Sequence, residues 1–166
     1  MIKAILACDE QGGIGLNGTM PWAHNKRDMQ WFRDQTTGHV VVMGSTTWKS
    51  PGMPKPLPRR YNVIVTSKQD EYPGANEYIR GDDISSSLQK LAQEKQGLIT
   101  WIIGGANLIN QCWGIIDEFY ITRIPGSYNC DTSIDISRLD NMFLMYEDKH
   151  DDATFQVYQR YRIRFP

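Results

Sequence analysis

Asp28 sits where its surroundings call for a chemical explanation. Trp31 and Phe32 follow it by three and four residues, so on a helix all three share one face. Two readings of that carboxylate stand side by side. Near a helix start it can complement the helix dipole in water. If the face instead closes a cleft, the carboxylate is partly desolvated and needs a partner donating two hydrogen bonds, as an amino-substituted heterocycle does. Two glycine turns form a second group. Gly104 and Gly105 stand between the apolar run ending at Ile103 and a helical pattern, where backbone can approach a ligand and helix N–H groups can meet a phosphate. Gly44, followed by Ser45, Thr46 and Thr47, repeats the arrangement. Thr66, Ser67 and Lys68 end a third apolar run, and Arg80 ends a fourth, which together could gather an anion. Each of these alone also reads as an ordinary turn or solvated surface.

The elements that must position these groups are legible from periodicity. Ile2 to Cys8 reads as a buried strand. Asn25 can cap a helix running to about Thr37 and ended by Gly38, and HVVVMG then supplies a central strand. STTWKS suits a short helix, and the four prolines of PGMPKPLPRR predict an exposed loop. Further strands are expected at Tyr61 to Thr66, Glu77 to Arg80, Ile99 to Ile103 and EFYITRI. Helices are expected from Ile84 to Lys95 and through Leu108, Ile109 and Cys112. Met142 to Lys149 and Thr154 to Ile163 should pair as a hairpin. Alternating strands and helices imply an α/β fold with a mainly parallel sheet and an antiparallel edge, and ligands in such sheets sit beyond the carboxyl ends of the strands.

Composition narrows the class. The 166 residues suit one domain over 1–166, and net charge −1 gives no general attraction to nucleic acid or anionic membrane. Cys8, Cys112 and Cys130 are too widely spaced for zinc or redox chemistry and read as reduced thiols of a cytoplasmic protein. His24, His39 and His150 match no metal-ligand spacing, so no metal is expected. No apolar run approaches the roughly 18 residues of a membrane helix.

The opening loop IGLNGTMPW, Asp28 with Trp31-Phe32, Val42-Met43-Gly44, Thr47-Trp48, Pro56-Leu57-Pro58 with Arg60, Ile103-Gly104-Gly105, Tyr120-Ile121-Thr122 and Asp131-Thr132 occur in the order of the dihydrofolate reductase family. The chain resembles that family over nearly its whole length. The resemblance implies reduction of 7,8-dihydrofolate by NADPH on an eight-stranded sheet flanked by about four helices. It implies a monomer, with dihydrofolate and antifolate inhibitors as its ligands. Asp28 would then grip the pterin's 2-amino group and N3–H, with Thr122 hydrogen-bonded to it. Trp22 would help hold an ordered water, and Met20 and Trp22 would form a lid on a mobile loop. Arg60 would hold the α-carboxylate of the glutamyl tail, because a guanidinium offers a planar two-donor fork.

Ile5, Leu6, Ala7, Met29, Phe32, Leu57 and Ile103 would line the pterin and benzoyl pocket. NADPH would lie against Ala7, Ile14, Gly15, Met20, Gly44, Ser45, Thr46, Thr47, Thr66, Ser67, Lys68 and Arg80, and against Ile103, Gly104, Gly105, Ala106, Asn107, Leu108 and Ile109, with the Gly104-Gly105 peptide cis. Ser45 stands where many bacterial relatives carry Arg or Lys, leaving Lys68 and Arg80 to meet the cofactor's 2′-phosphate. Two other readings keep the fold: a reductase of a related pteridine or pyrimidine, and a non-catalytic nucleotide-binding module.

Overall fold

The computed structural model describes residues 1–67 and 72–160. Ten strands and four α-helices follow in the order β1 (Ile2–Cys8), β2 (Gly13–Gly15), α1 (Lys26–Thr36), β3 (Val40–Gly44), α2 (Ser45–Trp48), β4 (Tyr61–Val65), β5 (Glu77–Ile79), α3 (Ile84–Glu94), β6 (Thr100–Gly104), α4 (Ala106–Cys112), β7 (Glu118–Arg123), β8 (Thr132–Ser133), β9 (Met142–Lys149) and β10 (Thr154–Arg160). Eight of them form one sheet, ordered β5-β4-β3-β6-β1-β7-β10-β9. Every pairing from β5 to β7 is parallel, and β10 runs antiparallel to both β7 and β9. The expected fold class therefore holds. The last expected strand is observed as far as Arg160, and its remaining residues lie outside the described ones.

Alternation along the strands divides the core in two. Ala4, Val42, Ile102 and Phe119 face α3 and α4, where Leu88, Leu91, Leu108 and Ile109 cover them. Ile5, Val41, Met43 and Trp101 face the other way, onto Trp31 and Phe32 of α1. Register fixes what else shares that second face: Ile5 lies beside Tyr120, and Ala7 beside Thr122. A parallel sheet buried on both faces explains why these strands read as continuous apolar runs.

Local signals set the boundaries. The Asn25 side chain accepts from the Asp28 backbone N–H at 3.0 Å, and Asp83 does the same for Ser86, so both long helices start where a capping side chain stands. Periodicity gave no sign of β2 and β8, which are too short to show one; they pair with each other as a separate two-stranded sheet. The proline-rich segment has no regular structure, as expected, but it is not exposed throughout. Leu57 is buried in the α1-side core, because Asn62 of β4 captures its backbone.

Candidate active site

Asp28 occupies the first turn of α1, yet it is not a solvated dipole partner. Burial raises its carboxyl pKa above the ordinary value, and the nearby Thr122 hydroxyl draws it only part of the way back. The Thr122 hydroxyl is itself fully buried and lacks a partner at full hydrogen-bond geometry, so its influence on Asp28 is one of proximity rather than a closed bond. A half-desolvated carboxylate beside an unsatisfied hydroxyl is a pair built to receive a hydrogen-bonding ligand.

The same helix face leads to Arg60. Phe32 lies one turn beyond Asp28, and the Arg60 guanidinium stands 5.8 Å from its ring centre. One turn further, the Thr36 hydroxyl accepts from Arg60 Nη1 at 3.1 Å, while Arg60 Nε donates to the Pro58 carbonyl at 2.9 Å. Burial and the neighbouring Arg59 and Arg33 charges lower the guanidinium pKa, so the site favours a compensating anion. Among the described residues no carboxylate pairs with Arg60. Asp28 and Thr36 are eight residues apart, which places them about 12 Å apart along the helix axis at 1.5 Å per residue.

Sequence reasoning missed the residue that holds this arrangement. Asn62 is 1% exposed; its Oδ1 accepts from Leu57 N at 3.0 Å, and its Nδ2 donates to the carbonyls of Leu57 and Arg60, each at 2.9 Å. An asparagine inside an apolar β-run was the available signal, because a buried amide must find partners. Asn62→Ala should cost about 2–3 kcal/mol by stranding buried backbone groups, lowering the melting midpoint by roughly 4–12 °C in a chain of this size. A calorimetric melt checks this.

On the other side of β1, two glycine turns meet. An added Cβ at Gly44 would lie 4.0 Å from Gly104 O and Gly105 N, and one at Gly104 would press on Thr47 Oγ1 at 3.0 Å. The Gly104-Gly105 peptide is cis and Gly104 has φ +140, a backbone that favours glycine. Neither α2 nor α4 is capped by a side-chain hydrogen bond at its start. Backbone at these adjoining strand ends can therefore approach a ligand closely. Beyond these ends, a cavity of about 630 Å³ is lined by Thr66, Ser67, Arg80, Asp82, Asp83 and Gln111 among others. Neither Asp28 nor Arg60 lines it. Lys68 lies outside the described residues.

Several expected positions differ. Consecutive strand residues face opposite ways, so Leu6 packs toward the α3–α4 core, away from Ile5 and Ala7. Leu108 and Ile109 are likewise buried in that core, at 5% and 0% exposure. Trp22 is no free lid: it is 8% exposed and set edge-on to Tyr128 at 5.7 Å, with Ala7, Ile124 and Phe155 in its cluster. Met20, in contrast, is 48% exposed.

The turn just before Met20 is held by hydrogen bonds despite its glycine. Leu16 and Thr19 exchange backbone hydrogen bonds at 2.8 and 3.2 Å around Asn17 and Gly18, both with positive φ, as in a tight hairpin turn. Asp131 Oδ2 accepts from Asn17 N at 3.0 Å, and the Ser50 hydroxyl donates to Gly18 O at 3.1 Å. Beneath it, burial would raise the Asp9 carboxyl, but backbone N–H donors from Tyr128, Gly13 and Gln11 outweigh that and hold its pKa low.

Comparison with known proteins converges. The family model of dihydrofolate reductase matches residues 1–164. The dihydrofolate reductase of Bacillus subtilis (strain 168) is 31% identical, over 90% of this chain and 96% of its own. Dihydrofolate reductase type 8 of Escherichia coli is 30% identical over 96% and 95%. Among solved structures, dihydrofolate reductase from Enterococcus faecalis complexed with NADP(H) and RAB-propyl superposes with a TM-score of 0.77 at 26% identity, covering 96% of each chain.

Proposed function

The chain belongs to the dihydrofolate reductase family, and from that premise we propose how its own residues serve the reaction. The reaction is hydride transfer from NADPH to 7,8-dihydrofolate, giving 5,6,7,8-tetrahydrofolate. The observation that carries the assignment of roles is the helix face that runs from Asp28 through Phe32 to the Arg60 guanidinium. A ligand that uses both ends needs a hydrogen-bond-donating ring, an apolar middle and a carboxylate on the order of 12 Å from the ring, and dihydrofolate has all three.

NADPH supplies the hydride when bound. Asp28 accepts two hydrogen bonds from the pterin edge, from the 2-amino group and N3–H, which fixes the ring face and favours a proton at N5. Thr122 completes the shell of Asp28. Ile5, Ala7, Phe32, Leu57 and Ile103 exclude water from the ring, while Arg60 anchors the tail carboxylate. Trp22 acts as the fixed root of the opening loop and Met20 as its moving apolar tip. Gly44 to Thr47 and Gly104 to Asn107 cradle the nucleotide, with Ser67 and Arg80 at its far end. A related pteridine or pyrimidine substrate without a glutamyl tail would leave Arg60 without a partner. A module that only binds nucleotide needs neither Asp28 nor Arg60.

Residues 1–166 are proposed as one domain, active in the cytoplasm, with one chain as the unit of catalysis. No helix among the described residues is long and apolar enough to cross a membrane.

The deciding assay follows loss of NADPH absorbance with and without dihydrofolate, and repeats it with NADH. Dihydrofolate-dependent oxidation is expected, faster with NADPH; none under either cofactor would overturn the reading. Gly104→Ala should destabilise the fold by about 1–3 kcal/mol, because a side chain at φ +140 presses on Thr47 Oγ1, lowering the melting midpoint by roughly 2–12 °C in a chain of this size. A thermal melt measures it.

A further inference from the structure

Arg60 is not the only guanidinium at its end of the cleft. Arg33 stands in the last turn of α1, one residue beyond Phe32, and Arg59 immediately precedes Arg60. The Arg59 carbonyl accepts from Gly38 N at 2.8 Å, which ties this segment to the end of α1. The charges of both arginines reach Arg60. Among the described residues no carboxylate lies within ion-pair distance of any of the three. Asp34, next to Arg33 in sequence, is engaged instead by Gln30, whose Nε2 donates to Asp34 Oδ1 at 2.6 Å while its Oε1 accepts from Arg33 Nη2 at 2.9 Å.

Local structure explains part of this. Positive charge near a helix C-terminus complements the dipole, and Arg33 alone meets that need. Arg59 is harder to account for. Its φ is +59, in the left-handed region where glycine or asparagine is at ease and a longer side chain carries strain. The turn requires only the carbonyl that meets Gly38, and glycine would supply that without strain. Arg33 and Arg59 are both exposed, so neither guanidinium serves the core. Three guanidiniums without a carboxylate among them suit a ligand that brings several.

We propose that Arg33 and Arg59 extend the Arg60 anchor into a subsite for further carboxylates, so that the substrate class this chain favours is dihydropteroyl oligo-γ-glutamate over the single-glutamyl form. The inference rests on Arg60 as the anchor of the tail α-carboxylate. With that group held, the γ-carboxyl is the end from which the tail can be lengthened. Each γ-linked glutamate consumes that carboxylate in an amide and brings two more, so every addition raises the anionic charge by one. A guanidinium fork takes a carboxylate with two N–H donors. Arg33 and Arg59 are open to solvent, so each contact is modest and screened by salt.

Steady-state kinetics of the full chain with NADPH, comparing dihydropteroyl mono- and triglutamate, test this. KM for the triglutamate is expected to be roughly two- to tenfold lower at low salt, the sum of two exposed ion pairs. The kcat should be alike, because tail binding is equal in ground and transition states. Raising salt from about 0.01 M to about 1 M, which shortens the screening length from roughly 30 to 3 Å, should erase the difference. Arg59→Gly, which also relieves the positive φ, should shrink it, and Arg33→Gln added to that should remove the rest. Equal KM for both tails, indifference to salt, or a preference that survives the double substitution would each overturn the inference. Arg60→Ala separates the two assignments. A KM raised with both tails, beside no tail preference in the parent, leaves Arg60 as the anchor and removes the extension, whereas an unchanged KM removes both.

Discussion

Asp28→Asn is expected to cut dihydrofolate turnover roughly 10²- to 10³-fold, the scale seen when one charge-stabilising group is removed from a desolvated site, while making the ligand-free protein more stable at neutral pH. Both effects have one cause. Burial raises the Asp28 pKa, so the folded protein holds that proton more tightly than the unfolded chain does. The stability this contributes is present in full below the unfolded value and is lost as pH rises through the folded pKa. At neutral pH the ionised carboxylate is therefore an uncompensated cost, which an isosteric amide removes. Melting curves should show the variant's midpoint above the parent's at neutral pH and the difference vanishing in acid.

Ligand binding carries the matching signature. Dihydrofolate affinity should fall on the acid side as Asp28 protonates and loses its acceptors, and Asp28→Asn should lack that limb. Equal turnover in parent and variant would remove Asp28 from the mechanism. Loss of turnover without any gain in stability would remove the desolvation account of it.

Arg60→Ala should raise the KM for dihydrofolate roughly 10- to 150-fold, the equivalent of about 1.5–3 kcal/mol for hydrogen bonds to a charged group, with kcat changed far less. Arg60 meets α1 at Thr36, about 12 Å along the helix from Asp28, so the energy of holding a tail carboxylate there is the same in ground and transition states and appears in KM. Arg60→Lys should recover little. The guanidinium is held by two of its own donors, on Pro58 O and Thr36 Oγ1, and still presents others to a ligand; an ammonium on a flexible stem cannot do both. A truncated pterin without the glutamyl tail supplies the control, since its kinetics should be indifferent to Arg60. Steady-state kinetics with both substrates would show a loss common to the two if Arg60 acted only by holding the fold.

Much of this protein was legible in one dimension. The central strands and the two long helices follow from continuous apolar runs and a period of 3.6, from Asn25 as a cap, and from proline and glycine as stops, all of which act over a few residues. The family motifs named Asp28, Arg60 and the two glycine turns, of which Gly104 has a local reason for its residue type in its positive φ.

What the sequence left open depended on which distant segments come together. Asp28 could have been a solvated dipole partner until the register of β1 with β7 brought Thr122 to its side and took water away. Leu6 was assigned to a pocket that strand alternation denies it, and Trp22 proved an anchor once Tyr128, more than a hundred residues on, was seen against it. Asn62 showed only as an asparagine inside an apolar run, with no sign of the Leu57 and Arg60 backbone it holds. Residue type and spacing thus determined the elements and the chemistry available to them, since propensity and capping are short-range. Desolvation, burial and exposure belong to the packed whole, and only the tertiary structure decided them.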